Sequence, residues 1–507
     1  MNTIGELLNF RANTHPERNA LFFEDRTLNY WQIKIYSLRA ANFLKSFSIQ
    51  KGQRFCILDF NTEETLHLLN GACFIGAIPV ILNWRLTPGE MKDILEDSNS
   101  LILFYGKEFR EIAQEIKLEK EFSKAEINLN WIESFSEEFS EEVLIEPEDI
   151  YIHLYTSGTT GLPKGIPLSH KNILSVVRNL AIELPGFGAD SVNLVCAPFF
   201  HIGGVGYSML GFFIGAENIL VRKFEPNYVQ KIMIEKKITN ALLVPAMIGA
   251  ILNLKDIEKS NFTHLRNIQH GGSPMPEELL RKASQIFKCD FTHVYGLTET
   301  SGISCLLRYD DIRIGLSVSS NEQQKRRLSS VGKASPEMKL IIKLANGNIA
   351  QQNELGEVCI QGEYLFNGYW NRPEINLQSF DQEGWFHTGD IGLIDENGYL
   401  YLYDRKNDMI LSKSENIYPI EIERILSAHP QIFDLAIVGL PDDEYGEIVT
   451  AFVALKQGAE ISLNEMKEFL KDKLASYKIP RKLIIVNEIP RNPSGKILRK
   501  ELKRKYY

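Results

Sequence analysis

Several features of other protein classes are absent from this chain of 507 residues. The longest candidate for a membrane span, SMLGFFIGA at 208–216, is far shorter than the run of about 18 apolar residues that a spanning helix needs. The N-terminus has no basic region followed by an apolar one, so we expect no secretory signal peptide. The net charge of −9 argues against nucleic acid as the main partner, because phosphate backbones call for a basic surface.

Cysteine and metal-ligand patterns are also scarce. The six cysteines are scattered singly, with no C-x-x-C spacing, and no H-E-x-x-H motif occurs. This argues against a disulfide framework or a zinc site and favours reduced thiols in a cytosolic protein. The hydrophobic content of 44% and charged content of 24% are ordinary for a folded chain. At this length the chain is expected to form more than one domain.

Alternating strand and helix patterns predict an α/β fold. Strand-like RFCILDF, IPVIL and LILFY, between residues 54 and 105, are separated by two amphipathic segments. The second of these opens with Thr87, Pro88 and Glu90, the residues of a capping box with a first-turn proline. This βαβαβ order predicts a parallel sheet covered by helices. The same order returns around DIYIHLY (149–155) and NIQH (267–270).

The pattern changes in the last third of the chain. Segments between about 335 and 404 alternate with period two, and Asn397-Gly398 is a hairpin signal, which predicts a small antiparallel, barrel-like β unit. Residues beyond 406 mix helices and strands and read as a separate α+β domain of about 100 residues.

The segment YTSGTTGLPKG (155–165) follows a predicted buried strand. Open α/β sheets place ligands at such strand ends. Its glycines free the backbone N–H groups, and its hydroxyls and Lys164 add donors and charge, which together suit phosphates. The segment does not fit the Walker pattern. A flexible surface loop is the alternative.

Four further clusters carry chemistry-bearing residues: YGLTETSG (295–302), WFHTGDIG (385–392), YDRKNDMILSKSENIYP (403–419) and PRNPSGKILRKEL (490–502). A carboxylate in the first could ligate magnesium, and Asp390 in the second could accept hydrogen bonds from a ribose. Taken one at a time, each has a plain alternative as a polar turn, a charged linker or a solvated basic stretch.

Together and in order, these clusters closely resemble the signature segments of the adenylate-forming superfamily: YTSGTTGLPKG, YGLTET, HTGD, DRKNDMI and PRNPSGKILRK. That superfamily holds acyl- and aryl-CoA synthetases, peptide-synthetase adenylation domains and firefly-type luciferases. Further segments, such as GGSPMPEEL (271–279) and YKIPRK (477–482), also resemble this superfamily, so the resemblance covers nearly the whole chain. The resemblance implies a large N-terminal domain (1–404), a hinge (405–407) and a small mobile C-terminal domain (408–507).

The resemblance also implies a reaction. ATP and a carboxylic acid give an acyl-adenylate and pyrophosphate, and a thiol then takes the acyl group. The implied phosphate-binding residues are Thr156, Ser157, Gly158, Thr159, Thr160, Gly161 and Lys164. Those around the adenine are Gly272, Ser273, Tyr295 and Gly296, and those at the ribose are Asp390 and Arg405. Thr298 would bond the α-phosphate, and Mg²⁺ would be ligated by Glu299 and Thr156.

The C-terminal part is implied to supply the catalytic Lys496, whose ammonium would bridge the acid carboxylate and the phosphate. The domain would then rotate about Asn407, where the family more often has Asp or Lys. The implied residues for coenzyme A are Lys413, Ser414, Tyr445 and Lys478. Lys413-Ser414 stands where the family often has Gly-Gly, so thioester formation is less firmly implied than adenylation.

We infer the type of acid substrate from the residues around His201. His201 resembles the residue beside the acyl carbonyl; the alternative is a buried core histidine. YGLTET has no tryptophan, unlike acetate-specific relatives, and FFHIGG has no aspartate, unlike amino-acid-activating relatives. The resemblance therefore disfavours acetate and amino acids as substrates. The predicted pocket between 201–210, 243–248 and 271–303 is largely apolar, which favours an aliphatic or aryl chain. We therefore predict a cytoplasmic acyl-CoA synthetase for a medium- or long-chain acid, free or peripheral at a membrane, monomeric or homodimeric. The alternatives are an acyl-AMP ligase that loads a carrier protein and a nucleotide-binding regulator without catalysis.

Overall fold

The computed structural model describes residues 1–118, 122–138, 143–156, 163–405, 408–412, 415–442, 444–471, 473–491 and 497–506, with the side chains of 404–405 and 415–416 excepted. The strands of this part are β1 (Asn19–Phe23), β2 (Arg26–Asn29), β3 (Arg54–Leu58), β4 (Ile78–Ile81), β5 (Ile102–Tyr105), β6 (Ser123–Glu126), β7 (Ile150–Thr156), β8 (Lys164–Ser169), β9 (Val192–Val195), β10 (Glu217–Leu220), β11 (Asn240–Leu242), β12 (Asn267–Gly271), β13 (Asp290–Tyr295), β14 (Cys305–Leu307), β15 (Lys333–Ala334), β16 (Met338–Lys343), β17 (Gly356–Gly362), β18 (Phe386–Ile394), β19 (Leu400–Arg405), β20 (Ile410–Ser412), β21 (Glu415–Ile417), β22 (Ile432–Asp442), β23 (Gly446–Leu455) and β24 (Lys482–Ile485).

The α-helices of the same part are α1 (Ile4–Thr14), α2 (Tyr30–Ser46), α3 (Glu63–Ile75), α4 (Pro88–Asp97), α5 (Arg110–Glu115), α6 (Leu129–Glu133), α7 (His170–Glu183), α8 (Ile202–Ile214), α9 (Pro226–Glu235), α10 (Pro245–Leu252), α11 (Glu277–Phe287), α12 (Tyr309–Leu316), α13 (Glu322–Arg327), α14 (Pro373–Ser379), α15 (Pro419–Leu426), α16 (Leu463–Leu470) and α17 (Arg499–Tyr506).

A six-stranded sheet has the order β6-β5-β3-β4-β7-β8. Its first five strands pair in parallel, as the βαβαβ pattern predicts. The predicted capping box is present at the start of α4, where Thr87 and Glu90 exchange hydrogen bonds. The strand β8, which begins at the end of the 155–165 segment and pairs antiparallel with β7, was not predicted. The segment therefore joins two strands of one hairpin.

A nine-stranded sheet has the order β15-β14-β13-β12-β11-β9-β10-β1-β2. Its centre is parallel, and β2, β14 and β15 add antiparallel edges. The expected repeat of one βαβ unit across 149–195 was wrong, because β7 lies in the first sheet and β9 in the second. One hydrophobic core joins residues of both sheets with α3 and α8, two helices that are buried over most of their length.

The strands β16 to β19 form a four-stranded antiparallel sheet, as the period-two pattern predicts. Asp395 closes the predicted turn by accepting hydrogen bonds from the N–H groups of Asn397 and Tyr399. Gly398 has a φ of 82°, which the turn requires and glycine adopts without strain.

The remaining sheet uses only β20 to β24, and its hydrophobic cluster contains only residues from 410 onward. This agrees with the predicted α+β character of the C-terminal part; the domain limits themselves stay a prediction. All six cysteines lie in the described part, and none is in a disulfide. Among the described helices, none combines the length and apolar character needed to cross a bilayer.

Candidate active site

The stems of the predicted phosphate loop are the last residue of β7 and the first of β8. Thr156 and Lys164 are register partners in this hairpin, and both are half-buried. The Lys164 ammonium lies 4.8 Å from the centre of the Tyr369 ring, a distance at which a cation is attracted to an aromatic face. The hairpin therefore holds one hydroxyl and one cation at the two ends of the predicted loop.

A second pair joins the nine-stranded sheet to the four-stranded sheet. Tyr295, the last residue of β13, donates its hydroxyl hydrogen to Asp390 Oδ2 at 2.5 Å. Both side chains are buried, with 9% and 6% of their surface exposed. The Asp390 N–H donates to Thr388 Oγ1 at 3.0 Å, and Arg405 is the backbone register partner of Asp390. The predicted adenine and ribose residues thus meet, although they lie 95 positions apart in the chain.

The predicted metal ligand is oriented by a residue that the sequence analysis did not single out. Thr298 and Glu299 lie half-buried in a short 3-10 helix, Thr298–Thr300, just after β13. The Tyr369 hydroxyl donates to Glu299 Oε1 at 2.7 Å, and the Phe366 N–H donates to the Glu299 carbonyl at 2.8 Å. Tyr369 therefore contacts both Lys164 and Glu299, which links the predicted phosphate loop to the predicted metal ligand.

Glycines let the backbone segments of this region approach closely. A Cβ on Gly271 would lie 2.2 Å from the Val294 carbonyl oxygen, and a Cβ on Gly296 would lie 2.2 Å from that of Gly302. Gly272 follows β12 with a φ of 76°, a conformation that favours glycine. This leaves the exposed backbone of Gly272 and the half-buried Ser273 at the strand end, beside the β13 end.

His201 precedes α8 as its N-terminal cap residue. Its Nε2 is buried and has no hydrogen-bond partner in the described part of the chain. Burial, and secondly the nearby Arg85, lower the pKa of His201 to about 4, because both disfavour the charged imidazolium. The ring is therefore neutral at pH 7.

Of the four predicted coenzyme A residues, Tyr445 and Lys478 lie in the described part of the chain. Tyr445 is half-buried, and the Arg481 guanidinium lies 4.0 Å from its ring centre. Lys478 is engaged with Glu421 at 2.5 Å. The ammonium of Lys478 thus already has a carboxylate partner, which a phosphate group would have to replace.

Several predicted residues fall outside the described part of the chain: Ser157, Gly158, Thr159, Thr160, Gly161, Asn407, Lys413, Ser414 and Lys496. The side chain of Arg405 is outside it as well.

Comparison with known proteins bears on this arrangement. The family model "AMP-binding enzyme" matches residues 8–370, and "AMP-binding enzyme C-terminal domain" matches residues 421–496. The chain belongs to the AMP-binding enzyme family.

Two curated relatives align along the whole chain. A fatty acid–[acyl-carrier-protein] ligase of Streptomyces coeruleorubidus is 32% identical and covers 100% of this chain and 97% of the relative. A long-chain-fatty-acid–CoA ligase of Mycobacterium tuberculosis is 33% identical, with coverage of 100% and 99%. Among solved structures, O-succinylbenzoate coenzyme A synthetase from Bacillus subtilis, in complex with ATP and magnesium ion, has a TM-score of 0.85 at 29% identity, with coverage of 98% and 99%.

As a member of the AMP-binding enzyme family, the chain is an AMP-forming acid–thiol ligase. It activates an acid with ATP and Mg²⁺ and transfers the acyl group to the thiol of coenzyme A or of a carrier protein. No group of three or more His, Cys, Asp or Glu side chains that could hold a metal ion occurs among the described residues. Mg²⁺ is commonly bound by one or two carboxylates plus substrate phosphates, and Glu299, held by Tyr369, supplies such a carboxylate.

Sequence reasoning did not single out three features beside the predicted site residues: Tyr369, the histidine pair His270 and His293, and Asp97, which accepts a hydrogen bond from Tyr155. The centres of the two histidine rings are 4.8 Å apart on register-paired positions near the ends of β12 and β13. The signal for Tyr369 was the run Gly368-Tyr369-Trp370, where Gly368 has a φ of 128°. Aromatic residues on such a turn indicate a specific packing contact, but the sequence alone does not identify the contacting residue.

Proposed function

We propose that this chain is an acyl-CoA synthetase that activates a medium- or long-chain fatty acid as its adenylate and forms the thioester with free coenzyme A. The observation that carries the adenylation site is the joint placement of Tyr295 with Asp390 and of Tyr369 with Glu299 at the strand ends. The fatty-acid relatives, which align from end to end, support the substrate class.

In this proposal each part of ATP has its own residues. The β- and γ-phosphates are bound by residues 156–164, and the α-phosphate by Thr298. The adenine lies against Tyr295 and the backbone of Gly272 and Ser273, and the ribose hydroxyls bond to the carboxylate of Asp390 and to Arg405. When bound at Glu299, Mg²⁺ neutralises negative charge on the phosphates.

The adenylation step needs placement and charge stabilisation. A carboxylate oxygen of the acid attacks the α-phosphorus, a new P–O bond forms, and the bond to pyrophosphate breaks. Both reactants are anionic, so the rate depends on holding them in line and on cations near the charge that moves. We assign that role to Lys496, and we assign to the neutral ring of His201 a place beside the acyl carbonyl.

The acyl chain is proposed to lie beside His201, against the largely apolar segments 201–210 and 243–248. The half-buried residues of these segments include Gly203, Val244 and Met247. Each CH₂ of a bound chain that is removed from water contributes about 0.8 kcal/mol. A long alkyl chain would therefore gain more from this surface than a short one.

For the thiol step, rotation about Asn407 would bring Lys413 and Ser414 toward the adenylate. Tyr445 and Lys478 would then meet coenzyme A, whose sulfur attacks the acyl carbon as AMP leaves. The second candidate function is an acyl-AMP ligase that loads a phosphopantetheine carrier protein. Lys413 in place of a small residue and the carrier-protein ligase relative favour this candidate.

One experiment tests the proposal and separates its parts. Pyrophosphate release is measured across acids from short to long, with an aromatic dicarboxylate included, and with no thiol, coenzyme A or a phosphopantetheinylated carrier protein. We expect turnover to rise with chain length and to require coenzyme A for thioester formation. Turnover with the carrier protein alone would favour the second candidate, and a preference for the aromatic acid would overturn the fatty-acid assignment.

A matched variant tests the assigned cation. Lys496→Ala should abolish acid-dependent pyrophosphate release, because the proposal assigns to Lys496 the cation between carboxylate and phosphate. Thioester formation from chemically supplied acyl-adenylate should continue, since that step does not use Lys496. Undiminished pyrophosphate release by the variant would contradict the mechanism.

A further inference from the structure

Both stems of the phosphate hairpin lead to one acidic residue outside the hairpin. Asp97 is the last residue of α4 and is half-buried. Its carboxylate oxygen Oδ2 accepts a hydrogen bond at 2.7 Å from the hydroxyl of Tyr155. Tyr155 immediately precedes Thr156, so this bond fixes the first stem.

The second stem is tied to the same residue through Trp370. The indole Nε1–H of Trp370 donates to the backbone carbonyl of Asp97 at 3.0 Å. The backbone N–H of Trp370 donates to the carbonyl of Gly165 at 2.9 Å. Gly165 directly follows Lys164, so Asp97 is connected by one side chain to each end of the loop.

The group is held rigidly from outside. Arg372 forms an ion pair with Asp97 Oδ1 at 2.7 Å, with 22% and 18% of the two side chains exposed. The Arg54 guanidinium stacks on the Trp370 ring at 3.6 Å from its centre. A charge-assisted hydrogen bond is stronger than a neutral one. The bonds that the Asp97 carboxylate makes with Tyr155 and Arg372 are therefore the strongest among these contacts.

The hairpin itself has little freedom to compensate. The rings of His153 and Tyr155 stack at 4.8 Å, and a Cβ on Gly165 would lie 2.2 Å from His153 Nε2. Tyr155 and Gly165 are register partners. A shift of one stem would therefore have to move the other stem or break the contacts to Asp97.

We propose that Asp97 is a positioning residue for ATP: through Tyr155 and Trp370 it sets the placement of Thr156 and Lys164 toward the β- and γ-phosphates. This rests on the proposed function, which assigns those phosphates to the hairpin. AMP lacks both phosphates, so the role predicts an effect on ATP that is absent for AMP. A residue that only stabilises the fold would affect the two nucleotides alike.

The test is calorimetric binding of α,β-methylene-ATP with Mg²⁺, which cannot release pyrophosphate, and of AMP. The variants are Asp97→Asn, which removes the charge, and Tyr155→Phe, which removes one hydroxyl and leaves the Asp97–Arg372 ion pair in place. Glu96→Gln is the control, since Glu96 is the neighbouring exposed carboxylate and pairs with Lys92.

For Asp97→Asn we expect the Kd of the ATP analogue to rise about tenfold, and up to about 100-fold if the stems move by an ångström. Tyr155→Phe should give a smaller rise in the same direction. In both variants the Kd of AMP stays at the wild-type value, and Glu96→Gln changes neither nucleotide.

The following outcomes separate failure of the proposed function from failure of the role assigned to Asp97. Wild-type protein that binds neither nucleotide would mean that the proposed function itself fails. If wild type binds both, equal losses for ATP analogue and AMP in Asp97→Asn would assign Asp97 to fold stability alone and overturn the inference. Unchanged binding of the analogue in both variants would overturn it as well, with a thermal unfolding scan confirming that each variant is folded.

Discussion

The hydroxyl of Tyr369 offers the sharpest single-atom perturbation of this site. Tyr369→Phe removes the O–H that donates to Glu299 Oε1 at 2.7 Å. It keeps the ring that lies against Lys164 and that packs edge-on against Phe366 at 4.9 Å. A hydrogen bond to a charged group contributes about 1.5–3 kcal/mol, and loss of a partner that orients a metal ligand typically costs about 10–100-fold in affinity or activity.

Because Glu299 is half-buried, we expect the lower end of that range. The Mg²⁺ concentration for half-maximal acid-dependent pyrophosphate release should rise about tenfold. Tyr364→Phe is the matched control: Tyr364 is fully buried on the same segment, and its hydroxyl donates to the Pro336 carbonyl. The control should lose stability and keep the wild-type Mg²⁺ dependence. A Tyr369→Phe enzyme with unchanged Mg²⁺ dependence would refute the assignment of Tyr369 to the metal carboxylate.

Two further predictions concern stability. Gly296→Ala should destabilise the fold by about 1–3 kcal/mol, because its Cβ would meet the Gly302 carbonyl oxygen. The control Gly89→Ala, where a Cβ meets nothing within 4 Å, should leave the unfolding free energy unchanged in the same denaturant titration. Equal losses of unfolding free energy in the two variants would contradict the packing argument. Burial lowers the pKa of His153 to about 3 and of His170 to about 4, so the unfolded chain takes up protons that the folded chain does not. The unfolding free energy should then fall as pH drops below 6.5, by about 1.4 kcal/mol per histidine at pH 5.5. A His170→Gln variant whose unfolding free energy depends on pH as strongly as that of the wild type would contradict the assignment to His170.

The fold could be predicted from sequence where the periodicity was strong and local. The βαβαβ pattern between residues 54 and 105 gave the parallel strands, and period two gave the antiparallel strands β16 to β19. The capping residues Thr87 and Glu90 marked a true helix start. These signals act between residues close in the chain.

The sheet assignments could not be predicted in the same way. The strand β8 contains Pro167 and follows a glycine-rich run, so its sequence does not look like a strand, yet it pairs with β7. The pattern around β7 and β9 looks like one unit, but the two strands belong to different sheets joined through one core. Which sheet a strand joins depends on distant packing that no local pattern contains.

The candidate site divides along the same line. Residues on signature segments, such as Tyr295, Glu299 and Asp390, could be named from resemblance. Their neighbours Tyr369 and Asp97 could not, because their hydrogen-bond partners Glu299 and Tyr155 lie 70 and 58 positions away in the chain. Only the fold brings these positions together.

The position of bound ATP is tested most directly by a crystal structure of the chain with ATP and Mg²⁺. We predict the adenine against Tyr295 and the backbone of Gly272, the ribose hydroxyls at Asp390, and the metal at Glu299, with the β- and γ-phosphates between Thr156 and Lys164. ATP bound elsewhere, with the strand ends of β12 and β13 occupied only by solvent, would contradict it.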